Sequence, residues 1–144
     1  MISIKNQPDP EWIPKNWGGE KVIDNRAEYC CKMLNVVRGK RLSIHFHLDK
    51  METFYLLSGK VIIKFFDDYK RMEEIIEKQG WDTKNVEHKN LIAEQMETLI
   101  LEPDSTFFCP PGRVHQLIGV YDSKVIEVST HHKDEDSYRI VKGD

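Results

Sequence analysis

From Glu20 the apolar residues of this chain fall into short runs with polar neighbours, spanning Glu20 to Ile23, Tyr29 to Val37, Leu42 to Leu48, Thr53 to Leu57 and Lys60 to Phe66. Each run is rich in β-branched, aromatic or leucine residues and is closed by Gly, Asp, Asn or Lys, which predicts a strand. Arg38-Gly39-Lys40 and Ser58-Gly59 supply turns between them. The rhythm returns at Thr98 to Leu101, Ser105 to Cys109, His115 to Val120 and Val125 to Thr130. Many short strands at this spacing predict an all-β jelly roll or barrel rather than a parallel sheet.

Between Asp67 and Glu97 the pattern changes. Tyr69, Met72, Ile75 and Ile76 share one face at helical spacing, so a helix is expected over Tyr69 to Gln79 with Gly80 as its stop. Trp81 to Glu94 is polar, with apolar residues only at intervals. The whole of 67–97 reads as a partly helical insertion, open to use as a lid over the barrel mouth, an interface helix or a surface decoration. At the other end, Pro8, Pro10 and Pro14 with Trp12 and Trp17 favour extended backbone, so residues 1–19 are expected to form an arm and 20–144 the barrel.

At 144 residues the chain fits a single domain with a real core. A formal net charge of −3 with scattered basic residues argues against nucleic acid or an anionic membrane as the main partner. Residues 1–20 contain no apolar run of signal-peptide length and no later stretch approaches a membrane span, so a cytoplasmic location is expected. Three cysteines, two of them adjacent at Cys30 and Cys31, form neither a disulfide framework nor a Cys-x-x-Cys pair. Cys109 is read as packing, and His88, His131 and His132 as surface histidines.

The chemistry concentrates in two stretches. In Gly39-Lys-Arg-Leu-Ser-Ile-His45-Phe-His47-Leu-Asp-Lys-Met-Glu52-Thr-Phe-Tyr-Leu-Leu-Ser-Gly59 the two histidines stand at i and i+2, so on a strand both imidazoles leave from one face. Leu48 to Met51 can turn the chain so that Glu52 faces the pair from the next strand. Imidazoles plus one carboxylate suit a divalent transition metal with positions open for substrate. Downstream, Pro110, Pro111 and Gly112 force a tight turn that delivers His115 at the start of a strand, as a fourth ligand.

Together these stretches resemble the paired signature of the cupin superfamily. The first motif matches at Gly39, His45, His47, Glu52 and Gly59. The second matches at Pro110, Gly112 and His115, with Asp104 where glycine is usual and Gly119 where asparagine is usual. Eight fixed residues at set gaps in two separated stretches make the resemblance specific. It implies a single-domain cupin jelly-roll barrel in which His45, His47, Glu52 and His115 hold one divalent metal, be it Mn, Zn, Fe, Ni or Co. A homodimer is expected on fold analogy alone.

Further blocks narrow the resemblance. Trp17 to Glu20, Lys32 to Ser43, Ile126 to Ser129 and Glu135 to Arg139 run in the order of corresponding blocks in the cupin domain of type II mannose-6-phosphate isomerases. That family usually has glutamine at the position of His45, and its Val-Gln-Ser-Gly run is Val128-Ser129-Thr130-His131 here. The set of three histidines and one glutamate also looks like that of cupin lyxose isomerases. Both resemblances imply an aldose-ketose isomerase taking a small sugar or sugar phosphate through an enediol that a metal stabilises. Lys32 aligns with a lysine of the mannose-6-phosphate isomerase family and is a candidate acid/base or anion-binding group. Arg139 aligns with a terminal Asp-x-x-Arg arginine whose planar fork suits phosphate or carboxylate, and Arg113 beside the ligand turn can do likewise. Glu127 can serve as base if its strand turns it inward. The same ligand set also fits an Fe- or Ni-dependent dioxygenase, and the barrel fits a non-catalytic module that binds a sugar or nucleotide sugar.

Overall fold

Residues 9–144 are described by a computed structural model. Among the described residues eleven strands build two antiparallel sheets. In chain order they are β1 (Trp12–Lys15), β2 (Gly18–Asn25), β3 (Cys30–Val36), β4 (Ile44–Phe46), β5 (Glu52–Ser58), β6 (Val61–Phe66), β7 (Glu97–Leu101), β8 (Thr106–Cys109), β9 (Val114–Gly119), β10 (Ser123–Ser129) and β11 (Tyr138–Val141). One sheet runs β1-β2-β3-β10-β5-β8 and the other β11-β4-β9-β6-β7. Alternation sorts the side chains. In β3 every second residue, from Cys30 to Val36, is buried, and in β5 Glu52, Phe54 and Leu56 turn inward. Leu34, Val36, Phe54, Leu56, Val61, Ile63, Leu117 and Val125 fill the space between the sheets.

The insertion folds as two helices, α1 (Tyr69–Gln79) and α2 (Val86–Glu94). Asp68 caps α1 by accepting the Lys70 amide, and Gly80 closes it at φ 66°. The sequence reading anticipated α1 and left α2 unassigned. Only Ile92 of α2 is buried, so its apolar pattern is faint. Its start signal is nonetheless present, because Asn85 accepts the His88 amide. Neither helix contributes a residue to the cavity lined by His45 and His47. Met72, Ile92 and Met96 join Ile44, Phe46, Val114 and Val141 in a second core on the outer face of the five-stranded sheet.

Two further differences concern the ends. Met1 to Pro8 of the expected arm lie outside the described residues. Within the rest of that arm, Trp12–Lys15 pairs antiparallel with Gly18–Lys21, adding an edge strand to the larger sheet. The polar tail contains β11, which pairs with β4. A strand was not anticipated there because Tyr138, Ile140 and Val141 are the only apolar residues of a tail that is otherwise polar and mostly charged.

The motif positions that depart from the usual signature have local explanations. Asp104, in place of a glycine, adopts φ 70°. Aspartate tolerates this left-handed conformation better than most residues, and here its carboxylate accepts the Tyr55 hydroxyl. Gly119, in place of an asparagine, leaves no room for a side chain, since a Cβ would stand 2.6 Å from the Val37 carbonyl oxygen. Met72→Ala and Ile92→Ala are each expected to destabilise the whole domain by about 2–5 kcal/mol, as core truncations do. Urea denaturation showing an unchanged midpoint for both would mean that the helices are not welded to the sheet.

Candidate metal centre

Strand alternation and turn geometry bring four donors to one point. His45 and His47 stand two residues apart on and just after β4, and His45 is the register partner of His115 on β9. Glu52 opens β5 on the facing sheet. The Gly112 amide, at φ 84°, donates to the His47 carbonyl oxygen at 2.6 Å and so ties the two motif stretches together. The ligand atoms of His45, His47, Glu52 and His115 all lie within 4.8 Å of one another. His115 and Glu52 are fully buried, at 0% and 2% exposed.

The tautomers follow from the outer nitrogens. His45 Nδ1 lies 3.1 Å from the Ser43 carbonyl oxygen, His47 Nδ1 2.9 Å from that of Asp136 and His115 Nδ1 3.0 Å from that of Arg113. A carbonyl oxygen only accepts, so each Nδ1 carries a hydrogen and Nε2 is the nitrogen left to bind at the centre. There His115 Nε2 sits 2.8 Å from Glu52 Oε1, and neither atom has an aligned hydrogen-bond partner. Two buried acceptors this close require a positive charge between them. Burial resists charge on His115, yet the Cys109 thiol and the Glu52 carboxylate hold its pKa well above the usual histidine range. Burial likewise opposes ionisation of Glu52, but His115, His47 and Lys50 bring its pKa well below the carboxylate range. Burial, with His115 and His47 beside it, pushes His45 well down and favours the neutral ligand form. Three imidazoles and one carboxylate, with ligand atoms that converge on a common point and rings oriented by outer hydrogen bonds, fit a divalent transition metal.

A cavity of about 470 Å³ opens beside these groups. On its wall Glu127 (β10) and Lys50, 7% and 3% exposed, are joined by a 2.7 Å contact from Lys50 Nζ to Glu127 Oε2. Lys50 Nζ also lies 3.4 Å from Glu52 Oε2 and 3.2 Å from His132 Nδ1. Burial and the nearby Glu52 raise the Glu127 carboxyl above its ordinary pKa, against the pull of Lys50 and Lys32. For Lys50 burial works against the charge, but Glu127 and Glu52 outweigh it and the pKa is raised. Behind the ligands, the Asp136 carboxylate accepts the amides of Leu48, Asp49 and Lys50, fixing the turn between His47 and Glu52.

Comparison with known proteins agrees with this geometry. The sequence pattern of the D-lyxose isomerase family matches residues 16–142. The chain belongs to this family. No curated protein matches it at the sequence level. Among solved structures it is similar to KdgF from Halomonas sp., at 15% identity and a TM-score of 0.62 over 87% of this chain and 91% of that one. It is also similar to the capsular polysaccharide assembling protein CapF from Staphylococcus aureus, at 13% identity and a TM-score of 0.65 over 98% of this chain. A variant of oxalate decarboxylase from Bacillus subtilis gives 11% identity and a TM-score of 0.66 over 91% of this chain. The chain spans 35% of CapF and 30% of oxalate decarboxylase. At these identities the likeness shows the fold, that of a cupin barrel. No helix is long and apolar enough to cross a membrane among the described residues of this D-lyxose isomerase family member.

The remaining residues singled out in the sequence divide by position. Lys32, Glu127 and Arg139 line the cavity. Arg113 does not. Its guanidinium pairs with Asp67 at 3.1 Å, donates to the Phe108 carbonyl oxygen and lies over the rings of Phe65 and Phe107, all of which draw it away from the ligands. His132, expected on the surface, is half-buried on the cavity wall between Lys50 and Asp134. His131 and His88 do not line the cavity: His131 Nδ1 donates to the Arg26 carbonyl oxygen at 2.9 Å and His88 Nδ1 accepts the Asp82 amide at 2.8 Å. Cys109 packs in the core and in addition places Sγ 3.1 Å from His115 Nδ1.

Lys50 and Asp136 escaped the sequence reading. Lys50 had a signal, since it stands two residues before Glu52 and an extended chain puts both on one face. Asp136 had none beyond the Glu135 to Arg139 block, because its partners are amides far away in sequence.

Two outcomes are expected. Glu52→Gln and His115→Ala should each strip most of the divalent metal from purified protein while leaving cooperative unfolding intact; elemental analysis with unchanged metal in both would end the four-ligand assignment. Asp136→Ala should cost about 1–3 kcal/mol in urea denaturation, through three amides left unpaired. It should also weaken metal retention by about 10–100-fold in a chelator competition, as loss of outer support does elsewhere.

Proposed function

We propose that this chain is a metal-dependent aldose-ketose isomerase acting on a small sugar. The observation that carries the reading is Glu127. It is a buried carboxylate, raised in pKa, held by Lys50 and facing the same cavity as the four metal donors. A base that must lift a proton from carbon at neutral pH needs this environment, with burial strengthening the base and a fixed cation aiming it.

In the proposed reaction Glu127 takes the proton from the hydroxyl-bearing carbon beside the carbonyl. The C–H electron pair forms the enediol double bond as the carbonyl oxygen gains a proton. Returning the proton from Glu127 to the neighbouring carbon, while the other hydroxyl gives up its own, yields the isomeric carbonyl with no net change in atoms or electrons. His45, His47, Glu52 and His115 would hold a divalent cation, which would supply positive charge to stabilise an enediolate oxygen. Lys50 keeps Glu127 in place and screens it from Glu52, and His132 accepts a hydrogen bond from Lys50 on the far side. Membership of the D-lyxose isomerase family supports this class of reaction, and imidazole-rich donors suit Mn, Zn, Fe, Ni or Co.

The test is a screen of aldoses and their phosphates with metal-loaded protein, following ketose formation and oxygen uptake in parallel. Ketose should appear without oxygen consumption. Glu127→Gln should lower kcat by about 10²–10⁴-fold with its metal content unchanged, the usual contribution of a positioned base. Oxygen uptake that depends on substrate would replace this reading with a dioxygenase, and full activity in the Glu127→Gln variant would remove the base from its role.

A further inference from the structure

Away from the metal donors the molecule has a second concavity, and the insertion builds one of its walls. A groove of about 790 Å³ runs between α1 and β11. Glu73, Ile76, Glu77 and the capping Gly80 line it from one side, and their i, i+3, i+4, i+7 spacing is a single helix face. Trp81 follows them into the wall. From the other side come Tyr138 and Ile140, two residues apart on β11 and therefore on one face of the sheet. Tyr138 stacks on Phe46 at 5.2 Å yet remains 41% exposed.

The β11 wall is also an open sheet edge. β11 ends the five-stranded sheet and pairs on one side only, with β4. An antiparallel strand turns alternate N–H and C=O groups away from its partner. The register shift between Arg139 and Val141 leaves Ile140 without a β4 partner as well. Apart from the β4 ladder, Tyr138 to Val141 make no backbone hydrogen bond among the described residues. An unpaired edge beside an apolar groove with a helix behind it is the geometry that takes up an extended peptide. Main-chain bonds to the edge hold such a peptide, and its alternate side chains enter the groove.

Charge says which peptide fits. Three carboxylates, those of Glu73, Glu77 and Asp82, line the groove with one guanidinium, that of Arg139, and none of the four has an ion pair among the described residues. The excess of negative charge selects lysine or arginine, and the apolar wall between the carboxylates selects an aliphatic side chain. We propose that β11 receives an extended basic segment of another protein as an additional strand. Its aliphatic side chain packs against Trp81 and Tyr138, and its cations face Glu73, Glu77 and Asp82. Ser137 and Arg139 line both this groove and the metal cavity, so the added strand lies beside the cavity wall. The inference is independent of the reaction that the metal site performs.

The probe is a capped peptide, Thr-Lys-Thr-Leu-Thr-Lys-Thr, whose extended form carries lysine, leucine and lysine on one face. It is compared by calorimetry with the same peptide bearing glutamate in place of lysine, and with two versions N-methylated on one or the other set of alternate residues. The lysine peptide should bind about tenfold or more tightly than the glutamate peptide. Methylating the set that faces the edge should weaken binding about tenfold or more, and methylating the other set should cost far less. The lysine peptide should also slow amide hydrogen exchange in β11. Replacing both exposed carboxylates together, Glu73→Lys with Glu77→Lys, should erase the preference for lysine while metal content and the unfolding midpoint stay as they were.

Failure of the lysine peptide to bind would overturn the proposal, as would equal affinity for the lysine and glutamate peptides. Binding that survives both methylation patterns would overturn it too, because the edge would then play no part. So would self-association of the protein that the paired lysine substitutions abolish in sedimentation, since a second copy would then fill the groove.

Discussion

The site depends on two buried atoms that cannot tolerate each other alone. Glu52 Oε1 and His115 Nε2 are 2.8 Å apart and buried, and both offer lone pairs when the ring hydrogen sits on His115 Nδ1, donated in a hydrogen bond to the Arg113 carbonyl oxygen. Only a cation between them satisfies both. A proton is the smallest cation that will serve, and a divalent metal that also takes the Nε2 atoms of His45 and His47 serves better. The barrel around this point acts as a holder for an electrostatic demand.

That demand spreads outward in ordered steps. Glu52 ionised in a dry site calls for further positive charge, and Lys50 supplies it from two residues away on the same extended segment. Lys50 in turn reaches Glu127, leaving one ammonium bridging two carboxylates of different environments. Glu52 faces three imidazoles and is driven down in pKa, whereas Glu127 faces an open cavity and is driven up. Two neighbouring carboxylates thereby acquire separate properties, one fitted to permanent charge and the other to exchange of a proton.

What was legible in the sequence and what was not follow from distance along the chain. His45 and His47 at i and i+2, and the Pro110-Pro111-Gly112 turn before His115, are local patterns whose geometry is set by the backbone itself. The strands between them were equally visible, because half-buried antiparallel strands alternate. Asp136 was invisible because what makes it matter, three amides at Leu48 to Lys50, lies more than eighty residues upstream. Arg113 misled for the complementary reason. Nearness in sequence to a ligand placed it at the site, while Asp67 and two aromatic faces, none adjacent in sequence, hold it elsewhere. His132 looked like a surface residue in a charged tail, and the tail turned out to line the cavity.

The helical insertion acquires its meaning from the shortest strand. β4 has only three residues, Ile44–Phe46, and meets β9 in register at a single pair, His45 with His115. On that edge so few ladder bonds would hold a ligand strand poorly, and β11 adds three register pairs on the other edge. Its other face supplies the remainder, because Ile44 and Phe46 point away from the metal centre into the second core with Met72, Ile92 and Val141. Phe46 lies stacked between Tyr69 of α1 and Tyr138 of β11, with ring centroids at 4.4 and 5.2 Å. The alternation that turns His45 and His47 toward the cation thus turns Phe46 into the grip of the insertion. The segment 67–97, whose use the sequence left open among a lid, an interface helix and a surface decoration, packs through Met72 and Ile92 behind the strand that carries His45 and leads into His47.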